Sequence, residues 1–204
     1  MNWLAHVFLS EQNIDFQIGN YLADPLKGKA WENATEDLKK GIKTHILIDS
    51  YTDSNPLVIQ SKRRLREKGL LKSIVIDITY DYFLTKNWDL YCNIPFELYT
   101  QDFYESATKR LDHLPTNAYK HVDKIIKYQV LHKYQTVKHL KTAFERIDKR
   151  LSTKLLSRDT ASSYFESVQE NIDELEIDFL YFFPKLCEEV KKNVDNTKIN
   201  HWKI

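Results

Sequence analysis

The chain has 204 residues, 42% of them hydrophobic and 29% charged, with a net charge of +1; these figures suit one globular domain with a sizeable core. No apolar run approaches the roughly 20 residues of a membrane span, and the opening MNWLAHVFLS lacks the basic start and small-residue cleavage site of a signal peptide. Two isolated cysteines, Cys92 and Cys187, imply no disulfide framework, and four glycines, none after Gly69, are too few for a turn-rich β fold. The expectation is a cytoplasmic, all-α, single-domain helical bundle.

Taken in order, residues 2–9 read as a short apolar helix carrying Asn2 and His6, and residues 15–23 as a second carrying Asn20. Pro25 disfavours helical geometry at Asp24, which puts that carboxylate at the C-terminal edge of the helix. There it opposes the helix dipole and calls for a cationic partner. After a loop over 27–34, Thr35 is the N-cap of a helix running to about Ser50, with Ile42, Ile46 and Leu47 on the buried side near His45. Asn55 and Pro56 open the next helix, which carries the basic cluster Lys62, Arg63, Arg64, Arg66 and Lys68 and stops at Gly69. Residues 71–86 form the most hydrophobic helix, too long for a typical strand, and it carries Asp77 and Asp81.

Residues 87–93 connect to a helix opened by Pro95 and ending about Leu114. From Ala118 the pattern Val122, Ile125, Ile126, Val130, Val137, Leu140, Phe144, Ile147, Leu151 has helical period, broken near Thr136. A last helix spans about 160–193, with an aromatic stripe that reads as core and a kink at Pro184. Residues 1–194 make the domain; residues 195–204 read as a loosely ordered tail.

Four polar pairs recur at spacing i, i+4 within this frame: Asn2/His6, Asn20/Asp24, His45/Asp49 and Asp77/Asp81. On a helix that spacing puts both members on one face, and each pair lies in apolar sequence that normally points inward. Burying charged groups without partners is costly, and Asp77 with Asp81 adds like-charge repulsion. Each residue alone, the Asp77/Asp81 pair excepted, has an ordinary reading as core histidine, cap or backbone partner. Repetition of one spacing favours a shared divalent cation.

Charge is unevenly spread. Residues 119–158 hold eleven Lys/Arg against three Asp/Glu, and residues 159–196 three against ten. The plain reading is two solvated faces that partly neutralise each other; the functional one is a basic rim steering an acidic partner. No nucleic-acid motif accompanies the basic segments.

The ordered set MNWLAH, GNYLAD, HILIDSYTD and DITYDYFL resembles the bacterial acyl-carrier-protein phosphodiesterases (ACP hydrolases), regarded as divergent members of the HD-domain phosphohydrolases. The likeness covers most of the chain and is strongest over residues 1–88. The adjacent His-Asp dipeptide of ordinary HD proteins is absent; the nearest feature is His45 with Asp49 one turn later. The resemblance implies an HD-domain-like bundle and a hydrolase dependent on a divalent metal, Mn2+ by type. Its implied reaction removes the 4′-phosphopantetheine arm from holo acyl carrier protein and leaves a free serine. Cleaving such a phosphodiester needs a nucleophile near neutral pH, neutralised phosphoryl oxygens and a stabilised leaving alkoxide, and a divalent ion supplies all three.

On that chemistry His6, Asp24, His45, Asp49 and Asp77 are the candidate metal ligands. Asp24, Asp81 and Asn20 are the candidate catalytic groups, Asp81 and Asn20 either binding metal-bound water or the phosphoryl group or supporting the ligands from behind. Lys62, Arg63, Arg64, Arg66 and Lys68 are candidates for the carrier-protein surface, and Lys27 is a lone loop lysine that could meet the phosphate. Two other readings stand beside this one: a phosphohydrolase of nucleotides or other small phosphodiesters, and a non-catalytic helical adaptor for acidic carrier proteins.

Overall fold

Side-chain caps set where several of the helices begin. In the computed structural model, which describes residues 1–204, α1 (Trp3–Phe8) is a short helix whose N-cap Asn2 makes no side-chain cap bond. By contrast α2 (Ile14–Leu22) starts at Asn13, whose side chain accepts from the Asp15 and Phe16 amides. Thr35 caps α3 (Glu36–Ser54), and Asn55 caps α4 (Pro56–Leu65) with Pro56 in the first position. The chain then continues through α5 (Lys72–Lys86), the four-residue α6 (Trp88–Tyr91), α7 (Phe96–Arg110) and α8 (Thr116–Lys127). Thr136 caps α9 (Val137–Asp148), after which come α10 (Thr153–Leu156), α11 (Phe165–Glu170) and α12 (Ile172–Lys191). Short 3₁₀ turns complete an all-α fold whose sole β pairing is one bridge, Cys92 to Trp202.

The apolar character of α5 has a direct cause: it lies in the middle of the bundle and buries residues on every face, from Val75 to Leu84. Around it Phe8, Phe179, Phe182 and Phe183 are fully buried, as is its own Phe83, and 52 buried apolar residues form one continuous cluster, so the chain folds around a single core. Asp81, wholly buried in α5, supplies the cap that α1 lacks: its carboxylate accepts from the Leu4 and Ala5 amides at 2.8 and 3.2 Å.

Several boundaries differ from the sequence expectation. Helix α3 runs on to Ser54, and α4 ends at Leu65, short of Gly69, because Arg66 turns to extended geometry. The expected final helix is divided at Asn171 into α11 and α12, and Pro184 sits inside α12. Ile46 is exposed where a buried side chain was expected, and Ile48 takes the core position. The terminal residues are not a loose tail. Ile199, His201 and Trp202 are buried; the Trp202 ring stacks on Phe8 and its Nε1 donates to the Phe8 carbonyl at 3.0 Å. That carbonyl lies in the last turn of α1, where helical partners run out, so the tryptophan covers an apolar ring and satisfies a terminal acceptor together. No helix is long and apolar enough to cross a membrane.

One contact positions the site. A Cβ on Gly19 would stand 2.1 Å from the Leu38 carbonyl oxygen, and one on Gly41 the same distance from that of Phe16. The backbones of α2 and α3 therefore touch, which only glycine at both crossings permits.

Candidate metal centre

The close crossing brings Asn20 of α2 against both histidines. The Asn20 amide group donates to the His6 carbonyl and to Ser10, at 2.8 and 3.0 Å, which turns its Oδ1 toward His6 Nδ1 at 2.9 Å. His45 Nδ1 lies 2.7 Å from the Asn20 main-chain oxygen. Both facing atoms are acceptors, so each ring carries its proton on Nδ1 and donates it to Asn20. The imidazoles stack with centroids 3.9 Å apart, and both Nε2 atoms turn toward the carboxylates. His6 Nε2 is 3.2 Å from Asp49 Oδ1 and 3.1 Å from the Met1 carbonyl oxygen. His45 Nε2 is 3.0 Å from Asp49 Oδ2 and 3.3 Å from Asp24 Oδ1.

A lone pair aimed at oxygen is repulsive unless a proton or cation lies between. One ligand atom from each of His6, His45 and Asp49 falls within 4.8 Å of the others. Two imidazole nitrogens, each with its far N–H anchored, and a bridging carboxylate suit manganese, iron or zinc, and the residues present fit such an ion.

The charges without a metal tell the same story. Burial and the neighbouring His45 push the His6 pKa down, so His6 is neutral. Burial also works against a charge on His45, but its hydrogen bonds to Asp24 and Asp49 outweigh it and lift the pKa to about 9. Asp49 is held well below the usual carboxylate range: burial opposes ionisation, and the hydrogen bond from protonated His45 together with the nearby Met1 ammonium overcomes it. The hydrogen bond from His45 likewise lowers Asp24. The Met1 amino group, 3.4 Å from Asp49 and 3.1 Å from Asp77, adds a second positive charge. A protonated ring and an ammonium thus stand beside three carboxylates.

Beside the rings opens a cleft of about 330 Å³ lined by Asp24, Lys27, His45, Ile46, Asp49 and Asp53. Asp24 stands exposed at its mouth. His6 lies behind His45, stacked on its ring and buried away from the cleft with 1% of its surface exposed. The sequence candidates therefore divide. His6, His45, Asp49 and Asp24 converge, and Asp77 reaches the group only through the Met1 amino nitrogen. Asp81 and Asn20, expected either to meet water or phosphate or to support the ligands from behind, are wholly buried: Asp81 caps α1, and Asn20 orients the rings in the supporting role. Burial pushes the Asp81 carboxyl up to about 7 against the pull of its two amide donors.

The basic cluster of α4 is largely turned on its own chain. Lys62 pairs with Asp53 at 2.8 Å, Arg64 with buried Asp178 at 2.9 Å, and Arg66 lies over the Tyr164 ring, 3.7 Å from Asp159. Only Arg63 and Lys68 of the five lack an ionic partner, because Asp178 and Asp159 face α4 and its C-terminal end from the C-terminal third of the chain. None of the eleven Lys/Arg of residues 119–158 is so engaged. Sequence reasoning missed the double use of Asn20 and the part played by Met1. Gly19, directly before Asn20, and Gly41, one turn before His45, were the available signal.

Fold and site together define an all-helical protein with an imidazole–carboxylate centre at an open cleft, an arrangement suited to hydrolytic chemistry. The sequence description of acyl carrier protein phosphodiesterase matches residues 1–186, and the chain belongs to that family. Similar proteins carrying that name occur in Pectobacterium atrosepticum, 23% identical over 94% of this chain and 98% of the relative, and in Escherichia coli O45:K1, 26% identical over the same shares. One from Yersinia enterocolitica is 32% identical over 56% of this chain and 59% of its own. No solved structure matches.

Proposed function

We propose that this protein hydrolyses the phosphodiester joining 4′-phosphopantetheine to the serine of holo acyl carrier protein, with a divalent ion of the manganese type. The observation that carries the reading is the convergence of the His6 and His45 Nε2 atoms on the Asp49 carboxylate, both rings locked by Asn20, at the wall of an open cleft. The names of the curated relatives supply the substrate class.

His6, His45 and Asp49 would hold the ion, with Asp24 and Asp77 at its margin. When bound, such an ion acidifies water and neutralises phosphoryl oxygens. Asn20 keeps each ring in the tautomer that presents Nε2, the supporting contact that metal-bound histidines require. Asp24, ionised and exposed at the mouth, accepts the proton of the attacking water. Water forms the new bond to phosphorus, the bond to the serine oxygen breaks, and the proton taken by Asp24 passes to that oxygen, giving a free serine hydroxyl and 4′-phosphopantetheine. The exposed lysines of α8, joined to α2 by the Tyr21 hydroxyl bond to the His121 carbonyl, offer an acidic partner a steering surface.

The test is mass spectrometry of holo carrier protein incubated with the protein and manganese. Loss of the arm, absent with Asp49→Ala, is the expected result. An intact arm with manganese, iron and zinc alike would refute the proposal.

A further inference from the structure

The cleft is walled by the carboxylates of Asp24, Asp49 and Asp53, yet the substrate proposed for it brings a further anion. Among its lining residues the one permanent cation is Lys27. His45 holds Asp24, and Lys62 holds Asp53, whereas no side chain of the protein pairs with the Lys27 ammonium. An exposed lysine that pairs with none of the nearby carboxylates is available for a ligand.

The backbone beneath Lys27 makes its identity more telling. Beyond α2 the Gly28 N–H donates to the Ala23 carbonyl at 2.8 Å and the Lys27 N–H to that of Asp24 at 3.0 Å, the paired bonds of a Schellman-type helix end. That motif sets Lys27 at φ 52 and Gly28 at φ 70. The first of these left-handed positions is the one glycine ordinarily fills, because a side chain there crowds the following carbonyl. Only one other non-glycine residue, Gln129, has positive φ. The fold thus carries a lysine where the local backbone favours none, one turn beyond Asp24 and at the rim of the same cleft. Strain of this kind persists where a side chain is needed.

We propose that Lys27 is the anion-binding residue of the cleft, its ammonium taking a non-bridging phosphoryl oxygen of the substrate. The assignment rests on the function proposed above. It adds the group that offsets repulsion between the phosphodiester and the three carboxylates.

The experiment compares Lys27→Met, Lys27→Arg and Lys27→Gly with the parent on holo carrier protein and manganese. A charge-assisted hydrogen bond lost on Lys27→Met should lower kcat/KM by about 10- to 100-fold, and Lys27→Arg should regain most of it. Lys27→Gly should be as impaired as Lys27→Met while unfolding at the same or a higher temperature, an outcome a merely structural lysine would not give. A second readout needs no turnover: inorganic phosphate should shield Lys27 from acetylation by acetic anhydride, read by mass spectrometry, while Lys29 of the same loop labels as before. If Lys27→Met stays within twofold of an active parent, the lysine assignment falls and the proposed function stands. If the parent itself is inactive with every metal, the proposed function falls. Phosphate protection then decides Lys27: selective shielding supports the assignment, and equal labelling of Lys27 and Lys29 overturns it.

Discussion

Loading the centre with a divalent ion must remove a proton from His45. In the metal-free protein that ring has its pKa lifted to about 9 by Asp24 and Asp49, while His6 is already neutral. At pH 7 the two-unit gap leaves roughly one ring in a hundred free to coordinate, a penalty of about 2.7 kcal/mol. Manganese affinity should therefore rise about tenfold per pH unit from 7 to 9 and level off above, with about one proton released per ion at pH 7. Calorimetric titration in two buffers of different ionisation enthalpy measures both quantities. The same proton bears on stability with a definite sign. A raised histidine pKa stabilises fully below the ordinary value of 6.5, and the benefit is lost as pH climbs through 9. The shift corresponds to about 3 kcal/mol, reduced to about 2 because Asp24 is mostly solvated. Metal-free protein should lose unfolding temperature between pH 7 and 9.5, and metal-loaded protein should not. Affinity that stays flat over that range, or binding without proton release, would refute the reasoning.

Asp81→Ala strips the cap from α1 and strands two buried amides, so urea unfolding should report a loss of about 3 kcal/mol; Asp81→Asn, which keeps one acceptor, should lose about half. A loss under 1 kcal/mol would mean α1 does not depend on that carboxylate. Gly19→Ala drives a methyl into the Leu38 carbonyl and should cost about 3 kcal/mol and weaken metal binding through His45, measured on the same protein by chemical unfolding and calorimetry. Reversing Lys120, Lys124 and Lys127 of α8 to Glu should raise KM for the carrier protein and flatten its salt dependence, since all three are exposed and unpaired. Arg64→Glu should instead show up in stability, leaving the buried Asp178 carboxylate facing a like charge.

Much of this molecule was legible in one dimension. The scarcity of glycine after residue 69, the Asn55–Pro56 and Thr35 starts and the length of the apolar run in α5 are local signals, and local backbone chemistry answers to them. The i, i+4 spacing put His45 and Asp49 on one face, where one carboxylate oxygen does meet the ring, and Pro25 put Asp24 at the end of its helix with a cationic partner, His45. Residue type and spacing could not say which buried carboxylate would serve which role. Asp77 and Asp81 look alike along α5, yet one reaches the Met1 amino group and the other disappears under α1. The basic run of α4 reads as a free surface until Asp178 and Asp159, more than ninety positions away by number, arrive to neutralise it. Ile199 and Trp202 read as a tail until Phe8 offers them a face. Sequence periodicity determines which side of a helix is apolar, because that follows from the backbone repeat alone. Which helices touch, and so where a proton, a cap or an ion pair ends up, depends on contacts between distant segments, and here two glycines that let α2 and α3 meet backbone to backbone decided it.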